Sequence, residues 1–387
     1  MSSVSKRSAV ALCLLCAPLY PALAAALPPP LPPEHLTVQR LPPKSPHWVF
    51  VFDNAFANEI DSRVHLFDAD SYRRLGQIDA GFVPSVTLSP DAGTTAVATT
   101  YYARGSRGAR TDVVEFTDNS TLAVAHEIVL PAKRAMTLPT LYNLTYSSDA
   151  HFVYVSYLTP AASFGVLDPA GGKVLSEIDT AGCVLAIPVG PNRVTALCEN
   201  GRLLTVTLDG AGHESARAVS ETFFDADKDP VFAQGIPSAK GVTFLSFLGE
   251  VHDVDLSGDK PVFAPAWSLL SGADKGQWRP GADQVGAIHK DSSRLYVAMH
   301  KGGEGTHKDG GTEIWVFDMN SHRRVARWPM QAAGLAPVLA VQVSQDRAPL
   351  MYAASSAGDL GVFDALDGKL RHVEHHIGTT LWMLLTP

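Results

Sequence analysis

The sequence predicts an all-β fold, a seven-bladed β-propeller, because one short motif recurs seven times along the chain. In each copy an apolar run ends in an aspartate that is followed by a turn, as in VHLFDAD, FGVLDPA and IWVFDMN. A repeat of short strands at this period is typical of propeller blades. The aspartates are Asp68, Asp118, Asp168, Asp209, Asp255, Asp318 and Asp364, and they are separated by 50, 50, 41, 46, 63 and 46 residues.

The segments between the turns support the same fold class. Runs such as TTAVATTYY, HFVYVSYL and RLYVAMH are rich in valine, tyrosine and threonine and alternate in polarity, as half-buried strands do. Helical periodicity is nearly absent, and only WSLLSGADKG, around Leu269, is compatible with a short helix. We predict a propeller over residues 47–387, with its first strand from Trp48 to Asp53. We expect an N-terminal strand to pair with the last blade, since an open ring would expose sheet edges.

The N-terminus predicts export. Lys6 and Arg7 precede an apolar stretch at 9–23, and small residues follow it at 24–26, which together form a secretory signal peptide over residues 1–26. The alternative, a membrane anchor, needs about 20 apolar residues, whereas Pro18 and Pro21 interrupt this stretch. Residues 27–46 form a proline-rich segment that should run extended. We therefore predict an exported protein without a membrane span.

Loss of the leader leaves two cysteines, Cys183 and Cys198, and a lone pair in an exported chain predicts one disulfide. They lie on two strand-like runs joined by a turn at 190–192, so the bridge would tie the strands of a hairpin. Paired cysteines should have their Cα atoms about 4.4–6.8 Å apart. Two free buried thiols are the alternative.

Charge and motifs exclude several functions. The net charge is −8 and there is no basic run, which argues against nucleic-acid binding. No G-x-S-x-G, H-E-x-x-H or phosphate-binding glycine loop occurs. Histidines cluster at two places without cysteines or carboxylates at ligand spacing, so we predict exposed histidines rather than a metal site. The clusters are His300 and His307, at a glycine-rich loop over 302–311, and His372, His375 and His376 near the end of the chain.

Two surface loops are candidates for a functional role. The glycine-rich segment 302–311 is too rich in glycine for regular structure, and loops of that length are usually functional or disordered. The segment ARGSRGAR contains Arg104, Arg107 and Arg110 and is the most basic stretch of the predicted propeller. It could dock an acidic partner or cofactor, or be a solvated loop; the sequence leaves both open.

Several segments, taken in order, resemble the heavy subunit of tryptophan tryptophylquinone-dependent amine dehydrogenases. They include GFVPSVTLSPDAG, TTYYARGSRGARTDVVEF, the cysteine hairpin and WRPGADQVGAIHK, and they span nearly all of the predicted mature chain. LPAKR and HKGGEGTHKDGGTEIWVFD are more similar to the aromatic amine branch than to the methylamine branch. The final segment, HHIGTTLWMLLTP, departs from the family pattern.

The resemblance implies a division of labour between two chains. Heavy subunits of this family are seven-bladed propellers that join a small light subunit in a periplasmic α2β2 heterotetramer. The light subunit carries the tryptophan tryptophylquinone and the acid–base residues, so no catalytic residue is expected in this chain. The holoenzyme would oxidise a primary amine, aromatic by the branch resemblance, to an aldehyde and ammonia, and reduce an azurin- or amicyanin-like cupredoxin.

Residue by residue, the resemblance assigns Phe82 to the phenylalanine that lines the substrate channel, and Cys183 and Cys198 to the family's cysteine pair. A channel role requires Phe82 to be partly exposed, and the alternative is a core phenylalanine buried between two blades. The rival hypothesis is a stand-alone secreted propeller that binds a ligand or a partner. Fold alone does not separate the two, since propellers serve many functions.

Overall fold

The computed structural model describes residues 40–387. Nearly all regular structure in this range is β-strand, and its only helical segments are 3₁₀ turns at Phe56–Asp61, Leu141–Asn143 and Gln331–Ala333. The predicted signal peptide, and residues 27–39 of the proline-rich segment, lie outside the described residues. No helix in the described part of the chain is long and apolar enough to cross a membrane.

The strands form six hydrogen-bonded sheets, and every pair of neighbouring strands is antiparallel. The first sheet contains β1 (Trp48–Asp53), β2 (Ser62–Asp68), β3 (Arg73–Leu88), β4 (Thr94–Tyr102), β5 (Arg110–Asp118), β6 (Ala123–Leu130) and β29 (Leu381–Leu385). The second contains β7 (Leu144–Tyr146), β8 (Val153–Tyr157), β9 (Ser163–Asp168) and β10 (Lys173–Asp179), and the third β11 (Cys183–Val189), β12 (Arg193–Cys198), β13 (Leu203–Leu208) and β14 (Glu214–Val219).

The remaining three sheets follow in chain order. The fourth contains β15 (Ile236–Pro237), β16 (Gly241–Leu245), β17 (Glu250–Asp255), β18 (Val262–Phe263) and β19 (Trp267–Ser268). The fifth contains β20 (Trp278–Pro280), β21 (Gly286–His289), β22 (Arg294–Lys301), β23 (Glu313–Asp318) and β24 (Arg323–Pro329). The sixth contains β25 (Val338–Val343), β26 (Leu350–Ser355), β27 (Leu360–Asp364) and β28 (Leu370–Glu374).

The first sheet is two four-stranded units that share β3. Residues 73–81 of β3 pair with β2, whereas residues 82–88 pair with β4. The units are therefore β29-β1-β2-β3 and β3-β4-β5-β6, each with the four antiparallel strands that the second, third and sixth sheets show. An outer strand of one unit thus continues directly into the inner strand of the next.

The repeated aspartates occupy equivalent positions, as the sequence predicts. Six of them are the last residue of the third strand of a unit, and Asp209 follows the third strand directly. Each carboxylate accepts a backbone N–H two or three residues further on, for example Asp68 from Asp70 at 3.1 Å and Asp168 from Gly171 at 2.7 Å. Such Asx turns let a strand reverse tightly without leaving amides unpaired. The repeat therefore has a physical cause in the turn between the third and fourth strands.

Successive units pack face to face through shared apolar clusters, and the last unit packs against the first. The sixth sheet, for instance, buries Tyr352 and Val362 against Val49 and Leu384 of the first. Inner strands such as β1, β2 and β8 are covered on both faces and are almost wholly buried, whereas outer fourth strands such as β6 and β14 are mostly exposed. This cyclic succession of small sheets is the arrangement expected of a propeller. The clusters shared by the other units include Val64 and Val97, Val114 and Val153, Val166 and Val206, Leu203 and Val242, and Val251, Val297 and Met351.

Two sequence-based expectations are wrong. The segment around Leu269 forms strand β19 and turns instead of a helix, because Leu269 and Leu270 are buried in the core beside this strand. The ends of the chain do pair, but the C-terminal strand β29 joins β1 in the first sheet, rather than an N-terminal strand joining the last. β29 forms the innermost strand of this unit, beside β1, and its residues Leu381, Met383 and Leu384 are fully buried there.

Asp53, at the end of β1, anchors this pairing. Its carboxylate accepts the amides of Thr379 at 2.8 Å and Thr380 at 2.7 Å, and that of Ala55 at 3.1 Å. Burial acts to raise the pKa of Asp53, but the His65 imidazole and these three amides outweigh it and hold the pKa well below its ordinary value. The carboxylate is therefore ionised in the folded protein at all ordinary pH values.

The predicted disulfide between Cys183 and Cys198 is confirmed. The two residues face each other across β11 and β12, with Cα atoms 3.9 Å apart, closer than the predicted range. Their amides donate to Thr180 and Arg202 and not to each other, so they form a non-hydrogen-bonded pair. In such pairs the two backbones approach most closely.

Replacement of Asp53 by asparagine should lower the free energy of unfolding by about 1–3 kcal/mol, because buried amides lose a charged acceptor. The pKa of Asp53 is lower in the folded protein than in the unfolded chain, where it is about 3.9. The ionised carboxylate therefore stabilises the fold at pH values above about 3.9, and this stabilisation is lost as the pH falls towards the folded-state pKa. The difference in the free energy of unfolding between wild type and Asp53→Asn should therefore be constant above about pH 4 and become smaller below it. Urea unfolding at several pH values measures this.

The control is Asp61→Asn, which removes an exposed carboxylate that pairs with Arg63. Exposed ion pairs contribute little, so this variant should unfold like wild type. Equal effects of the two substitutions would show that Asp53 does not anchor the closing strand.

Candidate functional site

Phe82 lies at the start of the inner strand of the second unit, at the end of the sheets opposite the aspartate turns. Its backbone pairs with Thr100 of β4. The side chain is half-buried, and its ring meets the edge of Tyr102, with ring centroids 5.8 Å apart and planes at 77°. The partial exposure that the sequence-based hypothesis requires is thus observed, while a role in a substrate channel stays a prediction.

The backbone around Phe82 forms a bulge with two left-handed residues. Gly81 has φ +65° and Val83 φ +42°, and the pairing of β3 with β4 shifts between Phe82 and Ser85. A Cβ on Gly81 would lie 2.5 Å from Thr99 Oγ1, so glycine is required there for space as well as for φ. Val83 is β-branched, and positive φ is strained for such a residue.

A buried arginine holds this bulge. Arg134 is only 3% exposed, and it follows β6 in the LPAKR segment. Its Nη1 donates to the Val83 carbonyl at 2.8 Å, and its Nη2 donates to the Phe82 carbonyl at 3.1 Å and to Thr100 Oγ1 at 2.7 Å. Burial lowers the pKa of Arg134 to about 10, so the side chain is still a cation at neutral pH.

Asp112 completes the network and also binds Arg110, one of the three arginines predicted to dock a partner. This carboxylate is fully buried and accepts the Thr100 hydroxyl at 2.8 Å and the Arg134 amide at 3.2 Å. Arg110 donates to it from Nε at 2.8 Å and from Nη2 at 2.6 Å, and this bond raises the Arg110 pKa. The Arg110 guanidinium is therefore already paired with Asp112 of the same chain, whereas Arg104 and Arg107 are exposed in the loop.

An apolar cavity of about 190 Å³ lies beside the network at the same end of the sheets. Ala135 and Tyr157 in its wall adjoin Arg134, which forms a backbone bridge with Tyr157. No carboxylate, histidine, lysine or arginine is among its lining residues. The cavity can therefore receive an apolar group. Three of its lining side chains, Leu138, Leu158 and Val184, are exposed to solvent.

The histidine clusters do not assemble a metal site in the structure. The expectation of exposed histidines is wrong for His300, which is buried beside Thr306 with Nε2 and Oγ1 2.9 Å apart, because its ring packs under the loop that follows β22. His307 stacks on Phe247 with ring centroids 3.8 Å apart. Burial lowers the pKa of both. Within residues 40–387, no three or more histidine, cysteine, aspartate or glutamate side chains are arranged to hold a metal ion. The glycine-rich segment 302–311 is a surface loop, as predicted.

The tryptophans of this chain do not fit a substrate-accessible quinone. Five of the six are buried, and the sixth, Trp328, is half-buried. Trp278 and Trp315 approach within 5.0 Å between ring centroids, but Arg327 lies over both rings. A cofactor made from this pair would be shielded from an amine by its neighbours.

The fold is all-β and propeller-like, and Phe82, the Arg134 network and the apolar cavity lie at one end of its sheets. The model of the methylamine dehydrogenase heavy chain family matches residues 46–386. The chain belongs to that family.

Individual relatives agree with this assignment. The chain is 29% identical over 331 residues to the methylamine dehydrogenase heavy chain of Methylorubrum extorquens, which covers 83% of this chain and 78% of the relative. It is 27% identical over 315 residues to that of Methylophilus methylotrophus, covering 80% and 76%, and 28% identical over 314 residues to that of Paracoccus versutus, covering 80% and 72%.

A solved structure supports the fold alone. The dihydro-heme d1 dehydrogenase NirN in complex with DHE superposes with a TM-score of 0.58 at 15% sequence identity, covering 91% of this chain and 77% of that one. Similarity at this identity concerns the arrangement of the sheets and carries no information on chemistry.

The sequence identifies Phe82 but does not identify Arg134 as part of the same site. Arg134 lies 52 residues from Phe82 along the chain, and the two meet because adjacent units pack together. A signal was nevertheless present, since Arg134 ends the LPAKR segment that carries part of the family resemblance. An arginine after a predicted outer strand gives no indication that it will be buried.

Phe82→Ala should cost less stability than truncation of a core phenylalanine. Phe82 is half-buried, so the loss should stay below about 2 kcal/mol, whereas a buried phenylalanine costs about 3–5 kcal/mol. Phe116, which is 1% exposed in β5 of the same unit, provides the matched control as Phe116→Ala. Urea unfolding compares the two. Equal losses would place Phe82 in the core and remove it from the candidate site.

Proposed function

We propose that this chain is the heavy subunit of a periplasmic amine dehydrogenase that oxidises primary, preferably aromatic, amines to an aldehyde and ammonia. The observation that carries the proposal is the family match across residues 46–386, nearly the whole of the described chain. The four-stranded units support a seven-bladed propeller as the fold of this subunit, since the first sheet contains two units and the other five sheets one each.

In this proposal the oxidation of the amine takes place on a partner subunit and not on this chain. The site around Phe82 offers aromatic and apolar side chains, and its two cations are bonded to carbonyls and to Asp112. The tryptophan tryptophylquinone and the acid–base residues would lie on a small light subunit, in an α2β2 heterotetramer. When bound, the quinone supplies the electron sink that the propeller lacks, and a cupredoxin-type carrier, azurin- or amicyanin-like, accepts the electrons.

This chain contributes shape and docking. Phe82 would form part of the wall of the substrate channel, and its ring, already edge-on to Tyr102, suits an aromatic amine. Aromatic preference is further supported by the resemblance of LPAKR and of the loop 302–311 to the aromatic amine branch. The exposed apolar residues Leu138, Leu158 and Val184 lie at the same end and offer the light subunit an apolar contact.

The heavy chain expressed alone should show no quinone absorbance and no amine oxidation, because the cofactor is made elsewhere. Co-expression with the light subunit and its maturation proteins should restore both, measured by visible spectroscopy and by dye reduction with 2-phenylethylamine and methylamine. Amine oxidation by the isolated chain would overturn the division of labour. A chain that forms no complex with any light subunit would instead favour the stand-alone binding propeller.

The exposed arginines should contribute to docking through charge. Arg104→Glu with Arg107→Glu should slow association with an acidic partner by about tenfold at low salt, and the effect should shrink as salt rises. Stopped-flow association of the heavy and light subunits, and of the heterotetramer with the cupredoxin, measures this.

The matched control is Arg73→Glu with Arg347→Glu, an exposed pair at the end of the sheets with the aspartate turns. This control pair changes the net charge by the same amount, and it should leave both association rates within about twofold of the wild-type rates. Equal slowing by the two pairs would show that net charge alone acts, and the loop would then be merely solvated.

A further inference from the structure

Arg134 does more than fill the space between two units. We propose that Arg134 is a positioning residue for Phe82: its guanidinium fixes the backbone bulge that presents the Phe82 ring, and so determines which amines the enzyme accepts. The proposal rests on the proposed function for its second half, whereas the first half concerns this chain alone.

The bulge needs an external support. Val83 is β-branched, has φ +42° and precedes Pro84, a combination that the backbone disfavours. Strained backbone persists only where its surroundings hold it in place. The strand ladder does not do so, because the pairing of β3 with β4 shifts between Phe82 and Ser85. The carbonyls of Phe82 and Val83 are held instead by the two terminal nitrogens of Arg134.

An arginine suits this task better than any other side chain. Its planar fork presents two terminal nitrogens in a fixed geometry, which here reach two consecutive carbonyls and Thr100 together. A lysine keeps the charge but has one flexible ammonium and cannot hold the same three acceptors in that geometry. Arg134→Lys therefore loosens the bulge with the least change in charge.

The test is a double-mutant cycle in the heterotetramer with Phe82→Ala and Arg134→Lys. The readout is the ratio of kcat/KM for 2-phenylethylamine to that for methylamine. Phe82→Ala should change this ratio by about tenfold or more. Arg134→Lys should shift it in the same direction by about three- to tenfold, mainly through KM. In the Phe82→Ala background, Arg134→Lys should change the ratio by less than about twofold.

A control separates positioning from stability. Arg324→Lys alters a partly buried arginine away from the bulge, which belongs to β24 and pairs with Asp274 at 2.8 Å, and it should leave the ratio unchanged. An Arg134→Lys effect that is fully additive with Phe82→Ala, or no larger than that of Arg324→Lys, would overturn the proposal. If the Arg134→Lys variant does not assemble, Val83→Gly relaxes the same bulge without altering the buried Arg134 and should give the same shift.

Hydrogen exchange provides a readout that does not depend on activity. In the heterotetramer, Arg134→Lys should speed exchange of the amides in residues 80–86 by about tenfold, while Arg324→Lys should not. Unchanged exchange would show that Arg134 does not hold the bulge. If wild type oxidises no amine, the proposed function fails together with the selectivity role, and exchange still decides whether Arg134 supports the bulge.

Discussion

The pairing of β29 with β1 is the contact on which the rest of the architecture depends. Each unit has its faces covered by its neighbours, so a gap between the first and last units would expose two apolar faces at once. The carboxylate of Asp53 bonds to the amide of Thr379, 326 residues further along the chain. Such a contact closes a loop that contains most of the described chain, and its entropic cost is offset by the burial of the closing strand.

The same geometry separates the two ends of the sheets. At one end the aspartates close short turns, and the residue four positions after several of them is left-handed, as at Tyr72, Leu122 and His322. These turns repeat with little variation because they serve the strand reversal alone. The longer loops, including 103–109 and 302–311, lie at the opposite end with Phe82 and the apolar cavity. Loops on a rigid scaffold are the usual place for recognition residues.

The sequence was sufficient for features that depend on local patterns. The aspartate motif, the first strand at Trp48–Asp53 and the Cys183–Cys198 hairpin all follow from turn chemistry and alternation, and all are present. The conformation around Leu269 and the strand with which the C-terminus pairs depend instead on packing between distant segments. The expectations for these two features are the ones that are wrong. Arg134 belongs to the second group, because nothing local distinguishes a buried arginine from the exposed Arg104.

A second unit contains a similar bulge that is held without a buried arginine. The inner strand of the third sheet begins with the same kind of bulge, in which Leu185 has φ +71° and the preceding Val184 is exposed. There the disulfide at Cys183 and the hydroxyl of Thr145, which donates to Ala186, hold the backbone. Phe82 and Val184 thus occupy related positions in different units, supported by different chemistry. A buried arginine is weak evidence for stability as such. At Phe82 the arginine bonds to two consecutive carbonyls of the bulge, so its burial here is explained by the backbone that it holds beneath a half-exposed ring.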